Sequence, residues 1–285
     1  MSWQGKILRI NLTSGELTPE PLNMEWANDY IGERGLATKY LWENMDPKAD
    51  AMSPDNALIF ATGPLTGTNA STSGRYAVVT KGPLTGAIAC SNSGGKFGAE
   101  PKYAGFDLLL IEGRSEKPVY LLIEGDEISL VSADKIWGKT VWETDAWIKK
   151  QHHNPMLKIA TIGVAGERGV RYAAVVNDLH RAAGRSGVGT VMGSKNLKAI
   201  AIRGTGGVRV KDPKRFMEVT DEMKNLLAKS TGGLTKYGTN AMMDTMQEFG
   251  GLPTNNFQQV QFDGADKIDG ADKVDILDNK DDNKK

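Results

Sequence analysis

The chain has 285 residues and no formal net charge, because 35 Lys and Arg side chains balance 35 Asp and Glu side chains. That balance excludes a broad basic surface, so nucleic acid is not expected as a partner. Apolar runs such as residues 108–111 are too short to cross a membrane, and the N-terminus lacks the pattern of a secretory signal. With Cys90 as its one cysteine, the chain cannot form an intrachain disulfide or a multi-cysteine metal site. We expect a cytoplasmic protein without a membrane anchor.

The hydrophobic pattern predicts many short strands with a few helices between them. The predicted strands cover residues 6–12, 16–21, 57–62, 75–80, 107–113, 119–124, 128–132, 159–162, 172–176 and 199–203. The predicted helices cover residues 30–45, 94–103, 142–151, 212–229 and 238–249. This alternation favours an α+β fold in which two β-sheets pack on each other with short helices, rather than a doubly wound parallel sheet.

The sequence changes near residue 207 from a pattern typical of strands to one typical of helices, and we place a domain boundary there. Residues 1–207 are predicted to form the sheet domain, and residues 208–260 to begin a helical second domain that is incomplete. Residues 261–285 repeat Asp-Gly-Ala-Asp-Lys and end in an Asp, Asn and Lys cluster. Such low-complexity, strongly polar sequence is typical of disorder.

The pentapeptide GPLTG occurs at residues 63–67 and again at residues 82–86. The first copy leads to Arg75, and the second leads through Asn92 to Lys96. Glycine lets the backbone approach a ligand closely, and unpaired N–H groups at the start of a helix favour negative charge. Two such turns indicate the phosphates of a sizeable cofactor.

A second glycine-rich stretch, residues 177–189, carries Arg181 and Arg185. Residues 187–193 miss the spacing of the dinucleotide-binding fingerprint, and residues 193–195 reverse the Gly-Lys order of a phosphate-binding loop. The residues alone therefore predict two arginine-bearing loops that converge on a cofactor with several phosphates. They do not reveal the reaction.

Taken together, these loops resemble the N-terminal domain of the aldehyde ferredoxin oxidoreductase family, the tungsten (sometimes molybdenum) bis-pterin enzymes. The resemblance covers roughly residues 3–260. The matching stretches are GKILRINLTSG, IGERGLATKYL, LIFATGPLTGTNASTSGRYAVVTKGPLTG, SNSGGKFGAEPKYAGFD, NDLHRAAGRSGVGTVMGSKNLKAIAI and KYGTNAMMDTMQEFGGLPTNNFQ.

The resemblance implies a base of two β-sheets on which two pterins lie, with a Mg²⁺ ion bridging their phosphates. The residues implied to bind the cofactor are Arg75, Asn92, Gly94, Arg181, Ala182 and Gly184. In this scheme Arg75 contacts a pterin phosphate, while backbone carbonyls of Asn92 and Ala182 bind Mg²⁺. Guanidinium groups suit phosphates, and a hard cation prefers oxygen ligands, so the residue types agree with the implied roles.

The resemblance also implies an oxidoreductase that converts aldehydes to carboxylic acids and passes electrons through a [4Fe–4S] cluster to ferredoxin. The cluster cysteines that follow the GGLPTNNFQ region in the family are absent from these 285 residues. We therefore expect a truncated or split form, a cofactor platform completed by a cysteine-bearing second polypeptide, with homodimerisation left open. The alternative is a non-catalytic cofactor-binding or assembly protein that retains the fold.

Overall fold

The structure is a computed structural model that describes residues 2–267, without the side chain of Asp266. The tail beyond residue 267, most of the segment predicted to be disordered, lies outside the described residues. The chain divides after Lys214 into two compact units. Among the described residues, no helix combines the length and apolar character needed to cross a membrane.

Six strands form the first sheet, with the spatial order β2-β1-β6-β3-β4-β5. They are β1 (Lys6–Asn11), β2 (Leu17–Pro21), β3 (Leu58–Thr62), β4 (Tyr76–Lys81), β5 (Ile88–Ser93) and β6 (Leu108–Glu112). β1 and β6 run parallel, and the other neighbours are antiparallel. β5 therefore lies at one edge of this sheet.

The second sheet also has six strands, in the order β11-β10-β9-β12-β7-β8. They are β7 (Val119–Glu124), β8 (Glu127–Ser132), β9 (Lys158–Thr161), β10 (Val175–Asn177), β11 (Arg181–Ala183) and β12 (Leu197–Arg203). β7 and β12 are parallel, and the remaining pairs are antiparallel. β11 lies at the edge of this sheet and contacts β5 of the first.

Apolar side chains fill the space between the two sheets. Leu8, Phe60 and Tyr76 from the first sheet pack in one cluster with Ile123 and Ile200 from the second. Each fully buried aliphatic side chain of this kind contributes about 1.5–3 kcal/mol to folding. The two sheets are thus held face to face by a continuous core.

Helices of the first unit cover the sheets on their outer faces or join the core between them. They are α1 (Met24–Tyr30), α2 (Glu33–Asn44), α3 (Ala99–Tyr103), α4 (Val141–Gln151), α5 (Val164–Glu167) and α6 (Val188–Ser194). α1 and α2 pack on the outer face of the first sheet, and α4 packs on that of the second. α6 contributes Val191 and Met192 to the core between the sheets.

The second unit consists of helices with many exposed apolar side chains. They are α7 (Pro213–Ser230), α8 (Gly232–Tyr237) and α9 (Met243–Glu248), with a 3-10 turn over Gly238–Met242. The helix predicted over residues 238–249 begins later than expected, because Gly238 has a left-handed backbone (φ 60°) that ends α8. Leu226, Phe249 and Phe257 are 66%, 80% and 80% exposed.

Two packed mixed sheets followed by helices confirm the α+β class predicted from the sequence. Most predicted strands lie within two residues of the observed bounds, but β5, β11 and α6 were not predicted. β5 has the sequence IACSNS, in which Ser and Asn are typical of turns. It is nonetheless paired with β4 along its whole length, so tertiary pairing overrides the local preference.

Lys195 follows α6 and is fully buried. Its ammonium group donates to the backbone carbonyls of Gly113 (2.9 Å) and Pro54 (3.3 Å). Burial lowers the pKa of Lys195 to about 8, and the charge of Glu112 opposes that decrease. The folded protein therefore releases this proton at a lower pH than the unfolded chain does.

We predict that the free energy of unfolding, compared with that of a Lys195→Met variant, increases as the pH rises from about 8 to 10.5. In that interval the unfolded lysine is still protonated while the folded one is neutral, so higher pH favours folding. The decrease of the Lys195 pKa from 10.5 to about 8 corresponds to a total gain of about 3 kcal/mol in the free energy of unfolding. Denaturant titrations at several pH values measure the difference, and parallel curves for the two proteins would contradict the assignment.

Candidate cofactor-binding site

The two GPLTG turns lie at opposite ends of β4, which corrects the prediction that both point to one ligand. The first copy belongs to the connection between β3 and β4, and the second forms the turn between β4 and β5. Six strand residues at about 3.3 Å each separate the turns by roughly 20 Å. Only the first copy lies at the end of the sheet where Arg75 is found.

Arg75 immediately precedes β4 and is exposed. Its Nη1 atom donates to Oδ1 of Asn92 on β5, at 2.5 Å. The half-buried carboxyl of Glu33 also lies in its field, since burial raises the pKa of Glu33 and the charge of Arg75 partly lowers it. Asn92 thus orients a guanidinium group that lies near the charge of Glu33, and its remaining N–H groups can bind an anion.

Asn177, the last residue of β10, links the ends of the two sheets through hydrogen bonds of its side chain. It is buried, and its Oδ1 accepts hydrogen bonds from the hydroxyls of Tyr76 (2.9 Å) and Ser93 (2.7 Å) on the first sheet. Its Nδ2 donates to the carbonyl of Gly94 at 2.9 Å. This one amide therefore fixes the segment after β5 against the hairpin between β10 and β11. No motif or spacing in the sequence indicates this role of Asn177.

Asp178 fills the turn that was predicted to hold a phosphate. Its Oδ2 accepts the backbone N–H groups of Lys96 (2.6 Å) and Phe97 (3.2 Å). Asp178 therefore binds the backbone of this loop. The anion held by residues 93–97 is thus a carboxylate of the protein itself.

The hydrogen-bond ladder shows where the backbone carbonyl of Asn92 points. Gly82 N–H donates to the carbonyl of Ala87 at 2.8 Å, which marks a hydrogen-bonded pair between β4 and β5. Such pairs alternate along an antiparallel ladder. Asn92 is five residues beyond Ala87 and lies opposite Ala77, so it occupies a non-hydrogen-bonded position. Its N–H and C=O therefore point away from β4, toward the open edge of the first sheet.

The same reasoning places the carbonyl of Ala182 at the edge of the second sheet. Ile162 N–H donates to the Lys198 carbonyl at 3.1 Å, so Thr161, one residue earlier, directs its backbone groups away from β12. Thr161 pairs with Val176, whose N–H and C=O therefore point toward β9. Ala182 lies opposite Val176, and its backbone groups consequently point away from β10.

The other predicted residues lie along the same two edges. Gly94 follows β5, while exposed Arg181 belongs to β11 and exposed Gly184 follows it. Arg185 N–H donates to Oγ of Ser91 at 3.0 Å, which joins the segment after β11 to β5. Five of the six residues predicted to bind the cofactor thus come from the two edge strands and their adjoining loops, and Arg75 immediately precedes β4, the neighbour of β5.

Comparisons with known proteins identify the family to which the chain belongs. The family model described as aldehyde ferredoxin oxidoreductase, N-terminal domain, matches residues 7–204. The model for domains 2 and 3 of the same enzymes matches residues 218–283, which include the polar tail.

Two relatives and one solved structure show the range of similar proteins. The tungsten-containing aldehyde ferredoxin oxidoreductase of Pyrococcus abyssi is 53% identical over 92% of this chain, and this chain spans 44% of that protein. The aliphatic sulfonate oxidoreductase, WOR-like subunit, of Pyrococcus furiosus is 32% identical over 84% of the chain and 40% of its own length. The active site complex BamBC of benzoyl coenzyme A reductase aligns with a TM-score of 0.78 at 35% identity, covering 80% of this chain and 35% of that one. These matches confirm the resemblance seen in the loop sequences.

We predict that Gly95→Ala destabilises the protein more than Gly86→Ala does. Both glycines have left-handed backbone (φ 92° and 68°), which costs an alanine about 1–2 kcal/mol. A Cβ at Gly86 would meet open space, whereas one at Gly95 would overlap the Asp178 carboxylate. The overlap adds about 1–3 kcal/mol. Denaturant unfolding of both variants measures this difference, and equal losses would mean that the loop and Asp178 are not in contact.

Proposed function

Because this chain belongs to the aldehyde ferredoxin oxidoreductase family, we propose that residues 1–207 form the platform for its tungsten bis-pterin cofactor. Residues 208–260 then begin the helical part of the enzyme. The chain spans 44% of the P. abyssi relative, so the remaining parts of the catalytic centre belong to sequence outside these 285 residues.

The observation that carries this proposal is the outward direction of two backbone carbonyls at touching sheet edges. Asn92 on β5 and Ala182 on β11 each present a C=O group that its own ladder does not use. Carbonyl oxygens are good ligands for a hard divalent cation, and Mg²⁺ usually completes its shell with waters and phosphate oxygens. A Mg²⁺ ion that bridges two pterin phosphates fits this donor set.

The cationic side chains of the same edges suit the phosphates. Arg75 is oriented by Asn92, and it offers a planar fork of N–H donors to a phosphate. Arg181 is exposed on β11, where it can contact the pterin system from the second sheet. Gly94 and Gly184 have no side chain, so a flat ring can approach their backbone closely.

We further propose that this platform serves aldehyde oxidation to a carboxylic acid. The metal–pterin group, with tungsten or molybdenum, supplies the redox chemistry when bound, and electrons leave through a [4Fe–4S] cluster to ferredoxin. This chain positions that group and neutralises its phosphates. The single cysteine, Cys90, means that the cluster ligands come from other sequence, for which a cysteine-bearing second polypeptide is one source. We place this enzyme in the cytoplasm; a homodimer is an additional arrangement to test.

The alternative is a non-catalytic protein that binds or assembles the cofactor. In this case the chain keeps the fold and the platform without electron transfer. Pterin and tungsten bound to the chain together with ferredoxin reduction by an aldehyde would support the enzyme. The same cofactor content without that activity, even when a cysteine-bearing partner is present, would support the assembly role.

We predict that Arg75→Gln lowers the tungsten and pterin content of the purified protein about tenfold or more. A hydrogen bond to a charged phosphate contributes about 1.5–3 kcal/mol, and the neutral amide loses most of that energy. Elemental analysis and pterin fluorescence measure the content. Arg168→Gln, which changes an exposed arginine after α5, is the matched control and should retain the cofactor. Equal content in both variants would remove Arg75 from the site.

We predict a different outcome for Asn92→Ala. This change removes the partner of Arg75 but keeps the backbone carbonyl, so the ratio of Mg²⁺ to pterin should stay that of the unmodified protein. The total pterin content should fall, because Arg75 is less well oriented. If Mg²⁺ is lost while pterin is retained, the Asn92 side chain and not its carbonyl is the ligand.

A further inference from the structure

A cleft of about 380 Å³ adjoins the candidate cofactor site without including its arginines. Gly74 and Gly95 form one wall, next to Arg75 and Gly94 in the chain, and α3 and the ends of β9 and β12 form the others. The cleft carries three cationic side chains, those of Lys96, Lys158 and Arg203. Lys158 and Arg203 lie outside the six residues proposed to bind the cofactor, and Lys96 follows the glycine-rich loop that adjoins Gly94.

The positive charges of this cleft exceed the negative charge that faces them. Glu100 is the one carboxylate in the lining, and it is already engaged by Gly204 N–H (2.8 Å) and Arg203 Nη1 (3.3 Å). Burial raises the pKa of Glu100, and the neighbouring charges of Arg203 and Lys158 partly lower it. Three cations against one carboxylate leave an excess of two positive charges.

The fold brings these cations to the same cleft, and the charges of Lys158 and Arg203 both act on Glu100. Lys158 begins β9 and lies opposite Ile202, the neighbour of Arg203 at the end of β12. Gly204 allows α3 to approach the end of β12, since a Cβ there would overlap the backbone of Tyr103. Like charges at adjacent strand ends repel each other, which costs free energy unless an anion lies between them.

We propose that this cleft binds the phosphate group of a small anionic ligand through Lys96, Lys158 and Arg203. A phosphate monoester carries close to two negative charges at neutral pH and so matches the excess of two positive charges in the cleft. A carboxylate would neutralise half of that excess. Arg203 uses one N–H group for Glu100 and has further donors in the same plane, the arrangement that favours phosphate oxygens. The proposal does not depend on the cofactor assignment, because the cleft is lined by different side chains.

The test is calorimetric titration of the purified chain with inorganic phosphate at constant ionic strength. Lys158→Gln should weaken phosphate binding about tenfold, because it removes a charged donor from the cleft. Among the described contacts the Lys158 ammonium group makes no hydrogen bond within the protein, so the change should leave the fold intact. Glu100→Gln should strengthen binding about threefold, because it removes the opposing charge and keeps an acceptor for Gly204. Opposite signs separate a phosphate site from simple damage to the fold, which would weaken both variants.

Two further variants complete the design. Lys150→Gln changes an exposed lysine on α4 and should bind phosphate as the unmodified protein does. In an Arg75→Gln background, which removes the phosphate donor of the candidate cofactor site, Lys158→Gln should still weaken phosphate binding about tenfold, because Lys158 lines the cleft and Arg75 does not. Equal affinity in Lys158→Gln and the unmodified protein would overturn the proposal, as would loss of binding in Arg75→Gln, which would place the phosphate at the cofactor site.

The same titration of protein that carries its pterin cofactor identifies the source of the phosphate. Retained binding supports a separate phosphate ligand in the cleft. If phosphate binding is absent from the cofactor-loaded protein, while binding to the cofactor-free chain depends on Lys158, a phosphate of the cofactor itself occupies the cleft. Absence of cofactor from the protein would contradict the proposed function but would leave the titration of the chain, and its outcome, unchanged.

Discussion

The buried amide of Asn177 determines how the two sheets meet at the candidate site. Tyr76 and Ser93 on the first sheet both direct their hydroxyls at its oxygen, and its nitrogen donates to the carbonyl of Gly94. A buried polar group without a partner costs about 1–3 kcal/mol, so sliding one sheet along the other would break several such bonds together. The edges formed by β5 and β11 are therefore held side by side by a polar contact, within a core that is otherwise apolar.

Sheet edges normally expose unpaired backbone groups, which proteins protect against pairing with other chains. Here two edges meet, and each presents a carbonyl that points outward, from Asn92 and from Ala182. If these oxygens bind a cation, backbone groups that the sheet edges leave unpaired serve as its ligands. Backbone ligands place no demand on side-chain type, which explains why an alanine stands at one of the two positions and why neither residue looked reactive in the sequence.

Local pattern was sufficient for the interior of the fold and for the edge strands β2 and β8, but it was insufficient for β5 and β11, the two edges at the candidate site. The apolar runs LIFAT, YAVVTK and LLLIE predicted β3, β4 and β6 within about two residues, because burial on both faces gives continuous apolar sequence. β5 and β11 are edge strands, half exposed and rich in small or polar residues, and the pattern contains no signal for them. The candidate residues were found through the family resemblance; the directions of their carbonyls required the register of the ladders.

The contacts of Asp178 show why a glycine-rich loop is a weak indicator of phosphate binding on its own. The loop after β5 does present N–H groups to an anion, as its sequence predicted, yet the anion is the Asp178 carboxylate, supplied by the neighbouring hairpin. With those donors occupied, the phosphates of the proposed cofactor would depend on the guanidinium of Arg75 and on a cation held by carbonyl oxygens. Such binding is largely Coulombic, and at exposed positions added salt weakens it. The loop's contribution is to fix the position of Gly94 and of the edge strand before it, so its role at the site is geometric.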